Sequence, residues 1–286
     1  MKTASRSATT ATTTTTSTLQ AASSSSYAAV VVAENENDYD QDANSDEQEQ
    51  AAAQALLRRA ISERSTCRFF APDPVPDATL AERAPTALNT QPYACVVVRE
   101  QVDREKLVDG MLAANGRKVK EAPVVVVFIA DLKPSNRLPQ IQKLMAESGS
   151  KPEEVQNLPN IVPLFSGEGW LSGPRSLLFT AVSPFKAVPA NVPTIAWAYK
   201  QAVFAASTFV YAAQASGLST CIMEGFDERR IKKALGIPSR YSIPVMVCCG
   251  YPKPEMQRKG HQTPRLAPTD IFYDGKFGQS SAKLFE

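Results

Sequence analysis

The distribution of apolar and polar positions divides the chain into an unpatterned front and a patterned body. Residues 1–33 consist largely of Ser, Thr and Ala runs, such as Thr12–Thr16 and Ser23–Ser26, a low-complexity stretch with no period of its own. Residues 34–50 are acidic and rich in Asn and Gln. They have almost nothing to bury and read as a linker. Order is expected to begin near Ala51, where AAAQALLRRAIS predicts a helix over 51–62. Ala94–Val98 reads as a short strand, and the spacing of Leu107, Met111 and Leu112 predicts a helix over 103–115. Pro123–Ala130 (PVVVVFIA) is β-branched and carries no charge, the pattern of a strand covered on both faces. Ile243–Cys249 reads the same way. A long helix is predicted over 194–216, stopped by Gly217. Lys200, Gln201, Ser207, Thr208 and Gln214 interrupt its apolar surface. A membrane span needs about 20 apolar residues, so this helix reads as buried or packed against a second subunit. Between 132 and 193 prolines are frequent and no period emerges. So long an excursion is expected to be a lid or arm. No internal repeat is found.

Composition sharpens this picture by exclusion. The 286 residues are 43% hydrophobic and 21% charged, with a net charge of +2. That is ordinary for a globular chain and argues against nucleic acid as a partner. Residues 1–50 carry two basic residues against eight acids, leaving the remainder modestly basic at +8, which suits a small anionic ligand. The single histidine, His261, lies in a Lys/Arg/Pro-rich stretch, so catalytic designs built around histidine are disfavoured. The five cysteines form no CxxC and no Cys/His metal spacing. They read as reduced thiols, and Cys248 and Cys249, as neighbours on a strand, should point to opposite faces. The acid-free, Ser/Thr-rich 1–33 stretch has the composition of a transit peptide for plastid or mitochondrion. A solvated extension on a cytoplasmic protein is the alternative.

Four segments could carry chemistry. Arg64-Ser-Thr66-Cys-Arg68 places two guanidinium groups about a hydroxyl, a pattern able to fork onto a phosphate. Ala84-Pro85-Thr86-Ala87-Leu88-Asn89-Thr90-Gln91-Pro92 combines fixed backbone with amide and hydroxyl groups that could read the edge of a planar heterocycle. In Met223-Glu224-Gly225-Phe226-Asp227, Gly225 allows close approach of backbone to a ligand, and Asp227 could cap a helix over 227–235. Asn115-Gly-Arg-Lys118 offers a lysine beside an anion. Each also reads plainly, as a solvated helix end, a turn or a capped loop.

Taken in order, these segments resemble the FMN-dependent nitroreductase family over about residues 55–275. Arg64-x-Thr66-x-Arg68-x-Phe70 followed by Pro72-Asp-Pro-Val-Pro76 is similar to the family's opening R-x-S-x-R/K-x-F signature, with Thr66 where serine is usual. Pro85-Thr86-x-x-Asn89-x-Gln91-Pro92 is similar to its P-S-x-x-N-x-Q-P loop. Asn115-x-x-Lys118, Trp197-x-x-Lys200-Gln201, Gly217-Leu218 and Glu224-Gly225-Phe226-Asp227 resemble the enteric-type branch. Gly250-Tyr251-Pro252 and Pro264-Arg265-Leu266 resemble its later motifs. Thr263 stands where that branch has a lysine, and Lys259 or His261 is the nearest cation to take its part.

The resemblance implies an α+β, three-layer domain over 51–286, behind the 1–50 extension. Its central mixed sheet would be flanked by helices, in an interlocked homodimer with FMN at the subunit interface. It implies that Arg64, Thr66, Arg68 and Arg265 hold the phosphate and ribityl end, and that Asn115 and Lys118 meet the pyrimidine ring. Glu224 and Gly225 would offer backbone N–H groups near N5 and O4, while Pro85, Thr86, Ala87 and Asn89 come from the second subunit. The implied activity passes hydride from NADH or NADPH through the flavin to nitroaromatic, quinone or similar electron-poor acceptors, in ping-pong fashion. No catalytic side chain beyond the flavin and no metal is expected. Phe185 and then Phe179 are the candidate acceptor gates within the 132–193 excursion. Alternatives on the same fold are a specialised organellar flavin enzyme (ring reduction, dehalogenation or flavin chemistry) and a flavin-binding protein without turnover.

Overall fold

The computed structural model describes residues 39–75, 84–190, 192–254 and 263–285. The proposed targeting stretch, Lys259 and His261 therefore lie outside the described residues. The chain divides into two units, Met1–Gln48 and Glu49–Glu286, and the second holds the sheet and every candidate segment. Helix α1 spans Tyr39–Glu63, so it begins well before the expected start at Ala51. The stretch read as linker is helical from 39 onward. Its Ala, Glu and Gln residues are good helix formers, a local preference that needs no apolar face.

The core is built on a four-stranded sheet in the order β1-β2-β4-β3, with β1 Tyr93–Val98, β2 Val124–Asp131, β3 Ser219–Met223 and β4 Tyr241–Gly250. All three ladders are antiparallel. The expected mixed sheet is thus corrected. Among the described residues the parallel pairing is an isolated bridge between Thr66 and Thr220 at the β3 edge. β2 is buried at every position, as its uninterrupted apolar run requires. Val125, Val127 and Ile129 face one cluster with Leu107, Val119 and Ile231. Val124, Val126 and Phe128 face another with Ala205, Phe209 and Val210. The sheet therefore lies between a layer of short helices, α2 Gln101–Val108, α3 Asn115–Glu121 and α8 Glu228–Leu235, and the long helix α7 Thr194–Ala215. The three layers of this α+β fold follow directly from the alternation of β2 side chains across the pleat. Cys248 and Cys249 fall in opposite clusters, and all five cysteines are free thiols.

The long helix ends as expected, with Gly217 at a φ of +77°. No helix among the described residues is long and apolar enough to cross a membrane. One face of α7, from Trp197 and Ala198 through Gln201 and Ala205 to Phe209 and Ala213, is buried. Ile195, Val203, Phe204 and Tyr211 on its other side are exposed.

Two further stretches take a form that their sequence pattern does not show. The predicted helix over 103–115 is two helices, α2 and α3, separated by a turn through Gly110 and Ala113. Ala113 has a φ of +49°, and a Cβ on Gly110 would lie 2.7 Å from Ile231 Cδ1, so α2 must end where α8 packs. The excursion 132–193 is mostly helical: α4 Leu138–Glu147, α5 Pro152–Ser166 and α6 Ser172–Val182. Its prolines do not break these helices. Pro139 and Pro152 open them, where the missing N–H costs nothing, while Pro159 and Pro163 lie within α5. α4 and α5 share a small core of Leu138, Ile141, Leu158 and Val162.

Candidate functional site

Two groups of the sequence-predicted residues form, at opposite edges of the sheet. The first gathers on β3. After α1 the chain passes the β3 edge, where the Cys67 N–H donates to the Thr220 carbonyl at 2.9 Å. It then crosses to the end of β4, where the Ala71 N–H donates to the Tyr251 carbonyl at 2.8 Å. Arg117 of α3 lies over the Phe69 ring, 4.4 Å from its centroid. The Arg64–Arg68 segment is thus held against β3 and α3, with Thr66 and Arg68 exposed.

The loop after β3 reaches the same place. Asn115, the first residue of α3, donates from Nδ2 to the Gly225 carbonyl at 3.0 Å. Lys118, one turn on, donates from Nζ to Asn115 Oδ1 at 2.8 Å. The Leu112 N–H donates to that same Gly225 carbonyl at 3.0 Å. A Cβ at Gly225 would stand 2.9 Å from Asn115 Nδ2, so glycine is what permits the pairing. Asp227 caps α8 by accepting from the Arg230 N–H at 3.1 Å, as its position predicted. Burial pushes the Cys221 thiol up, and the nearby Lys118 ammonium and Arg68 guanidinium oppose that shift. Lys118 is thus tied through Asn115 to the loop after β3, and Arg68 follows the Thr66–Thr220 bridge on that strand. Two cationic side chains and an amide lie on segments tied to this edge strand.

The second group is the loop before β1, at the other edge. Leu88, Asn89 and Gln91 all have positive φ, at 54°, 51° and 43°. Only Asn tolerates this readily, so the loop is strained and must be held. The Ala87 N–H donates to Gln201 Oε1 at 2.8 Å, the Gln91 N–H to Thr86 Oγ1 at 3.1 Å, and Thr90 Oγ1 to the Ala87 carbonyl at 2.8 Å. Arg137 donates to the Gln91 carbonyl at 2.7 Å. Gln201 and Arg137 are the loop's supports, a part that the sequence pattern does not single out for them. The polar Gln201 on the buried face of an apolar helix was the available signal.

Strands are about 4.8 Å apart, so three steps across β1-β2-β4-β3 put roughly 14 Å of sheet between the two edges. Pro85, Thr86, Ala87 and Asn89 therefore do not join Arg68, Asn115, Lys118 and Gly225 within one chain. Arg265 is not joined to them either. It is exposed, and its hydrogen bonds go to the Thr263 and Pro264 carbonyls at 3.3 and 3.2 Å. Phe185 follows α6 and is 90% exposed, covering nothing in the single chain. Phe179 is half-buried in α6. A crevice of about 620 Å³ lies elsewhere, among Phe70, Pro74, Arg99, Arg104, Lys120 and Lys253. It holds none of the predicted residues.

Comparison with known proteins bears on this arrangement. Residues 61–251 match the model of the Nitroreductase family. A protein of Thermus thermophilus named NADH dehydrogenase is 31% identical over 206 residues, covering 69% of this chain and 87% of its own. Among solved structures, a nitroreductase family protein from Streptococcus pneumoniae superposes with a TM-score of 0.59 at 20% identity, covering 76% of this chain and 98% of its own. A nitroreductase-type protein from Exiguobacterium sibiricum, solved in complex with FMN, superposes with a TM-score of 0.57 at 18% identity, covering 76% and 95%.

Proposed function

The chain belongs to the nitroreductase family, and on that basis we propose that it is a homodimeric FMN oxidoreductase. It would draw hydride from NADH or NADPH and deliver it to nitroaromatic, quinone or similar electron-poor acceptors. The observation that carries this reading is the hydrogen-bonded set of Asn115, Lys118 and Gly225 after β3, with the Arg64–Arg68 segment bridged to that same strand. The bare backbone at Gly225 and the neighbouring cations suit a flat, anionic, phosphate-bearing group. The Exiguobacterium structure with FMN and the name of the Thermus relative support the cofactor and the nicotinamide donor.

When bound, FMN supplies a ring that accepts a hydride from one partner and gives it to the next. The chain's own residues bind, orient and polarise. Arg64, Thr66 and Arg68 offer forked, charge-assisted donors for the phosphate and ribityl end. Arg265 joins them in the assembled dimer. Asn115 and Lys118 present an amide and an ammonium to the pyrimidine edge, and the ammonium favours negative charge there. Glu224 and Gly225 contribute backbone N–H groups. Pro85, Thr86, Ala87 and Asn89 belong to the other subunit's edge, because the width of the sheet separates them from this group in their own chain. The dimer is further supported by uncovered apolar surface. Phe204 and Tyr211 on α7, and Leu266, Ile271, Phe272 and Phe277 on the C-terminal stretch, are exposed. Apolar surface on this scale calls for a partner. In such a dimer Phe185 and Phe179 of the excursion are the candidates to close over the acceptor. Import into plastid or mitochondrion is proposed on the composition of residues 1–33.

Spectroscopy and steady-state kinetics test the reading together. The purified protein is expected to be yellow, to bleach anaerobically with NADH or NADPH, and to give parallel double-reciprocal lines with a quinone or nitroaromatic. A colourless protein that takes up no added FMN would sink the proposal. Bound FMN that stays oxidised with both nicotinamides would restrict it to flavin binding.

A further inference from the structure

The sheet carries a row of thiols that the proposed chemistry does not use. Cys221 and Cys248 are direct register partners across β3 and β4. Cys67 abuts the same row, because its N–H donates to the carbonyl immediately before Cys221, at 2.9 Å. All three belong to one face, where Cys221 and Cys248 are buried in a shared cluster and Cys67 packs half-buried against it. The adjacency of Cys67 and Cys221 is felt electrostatically as well. Burial raises the Cys67 thiol, its hydrogen bond at Phe69 opposes that rise, and Cys221 adds to it. The thiols are not arranged for a metal. Among the described residues no group of three or more His, Cys, Asp or Glu could hold one.

The parallel Thr66–Thr220 bridge sets Cys67 opposite Cys221, at about the 4.8 Å spacing of paired strands, within the 4.4–6.8 Å or so that a disulfide spans. Cys67 is the least buried of the three, the one at the rim of the cluster. Its Sγ is engaged with the Phe69 carbonyl, at 3.1 Å, a weak contact that rotation gives up. We propose that Cys67 and Cys221 form a reversible disulfide under peroxide, and that this cross-link loosens the FMN grip by drawing in the segment between Thr66 and Arg68. The second part rests on the function proposed above.

The chemistry balances with hydrogen peroxide as the oxidant. The Cys67 thiol first gives its proton to water; its sulfur then attacks one peroxide oxygen, the O–O bond breaks, the departing hydroxide takes up that proton as water, and a sulfenic acid forms. Cys221 sulfur then attacks Cys67 sulfur, the S–O bond breaks, and water leaves with the Cys221 proton. The net change is two thiols and one peroxide giving one disulfide and two waters. A disulfide holds the two Cβ atoms about 3.8 Å apart, closer than unlinked neighbours on adjacent strands. Cys67 must therefore move toward β3, carrying Thr66 and Arg68 with it. Thiol exchange with a dithiol reductant reverses the step.

The test uses the full chain with bound FMN. It is treated with hydrogen peroxide, blocked with N-ethylmaleimide and digested without reductant for mass spectrometry. Expected are a linked Cys67–Cys221 peptide pair and an FMN affinity about ten-fold weaker, both reversed by dithiothreitol. Both should be absent from Cys67→Ser, a near-isosteric change at the least buried of the three thiols. A Cys221–Cys248 link, an intermolecular link, or Cys67 driven only to sulfinic acid overturns the proposed site. The right link with unchanged FMN affinity overturns the coupling. A protein that never binds FMN overturns the proposed function instead, and the mass spectrum still decides the disulfide.

Discussion

At the scale of single residues, the β3-edge group makes the sharpest predictions. Arg64→Ala and Arg68→Ala should each weaken FMN binding by about 1.5–3 kcal/mol, the usual contribution of a charge-assisted hydrogen bond. Fluorescence titration of FMN against each variant measures it, and unchanged affinity in both removes the phosphate assignment. Gly225→Ala should also weaken FMN binding, because its Cβ would lie 2.9 Å from Asn115 Nδ2 and must break the pairing with the Gly225 carbonyl. The buried thiols make a prediction about pH. Burial pushes Cys95 and Cys249 up to about 11 from 9.0. The folded state thus retains protons that the unfolded chain gives up. Stability is full below pH 9, and falls as pH rises from about 9 to about 11. Urea midpoints across that range should fall less steeply in Cys249→Ala than in the parent. Much of this scale was legible in the sequence. Asn115, Lys118, Gly225 and the Asp227 cap stand out by residue type and spacing. Gln201 and Arg137 do not stand out as the loop's supports, because a hydrogen bond between residues 114 positions apart leaves no local pattern.

Among the secondary-structure elements, strands and the long helix were readable, because burial on both faces of β2 and on one face of α7 leaves a strict apolar pattern. The break between α2 and α3 was not. Gly110 and the positive φ of Ala113 answer to the packing of α8, which comes more than 100 residues later. Nor were the helices of the excursion, where prolines that open a helix look the same in sequence as prolines that end one. Asp227→Ala removes the cap of α8 and should lower stability by about 1 kcal/mol, read by urea denaturation with FMN absent. Gln201→Ala releases the Ala87 N–H and frees a strained loop. It should cost about 1 kcal/mol and, on the proposed dimeric site, should weaken FMN binding as well. Unchanged FMN affinity would remove the loop from the site.

For the molecule as a whole, the division of the predicted residues between two sheet edges requires a second copy if they are to serve one cofactor. Sedimentation should therefore report twice the 31.0 kDa chain. Phe204→Glu, on the uncovered face of α7, should shift it toward monomer and release FMN at the same time. A monomer that retains FMN fully would overturn the shared site. Local sequence was sufficient for the layers, the core strands and the family resemblance of the candidate segments. Each of these depends on the order of apolar and polar groups along a short stretch, or on a motif a few residues long. It took the packed chain to make the sheet antiparallel, to bring Asn115 and Lys118 of α3 to the Gly225 loop, and to set the Asn89 loop at the far edge. Such choices are made by contacts between residues distant along the chain, whose free energies exist only once the layers have packed.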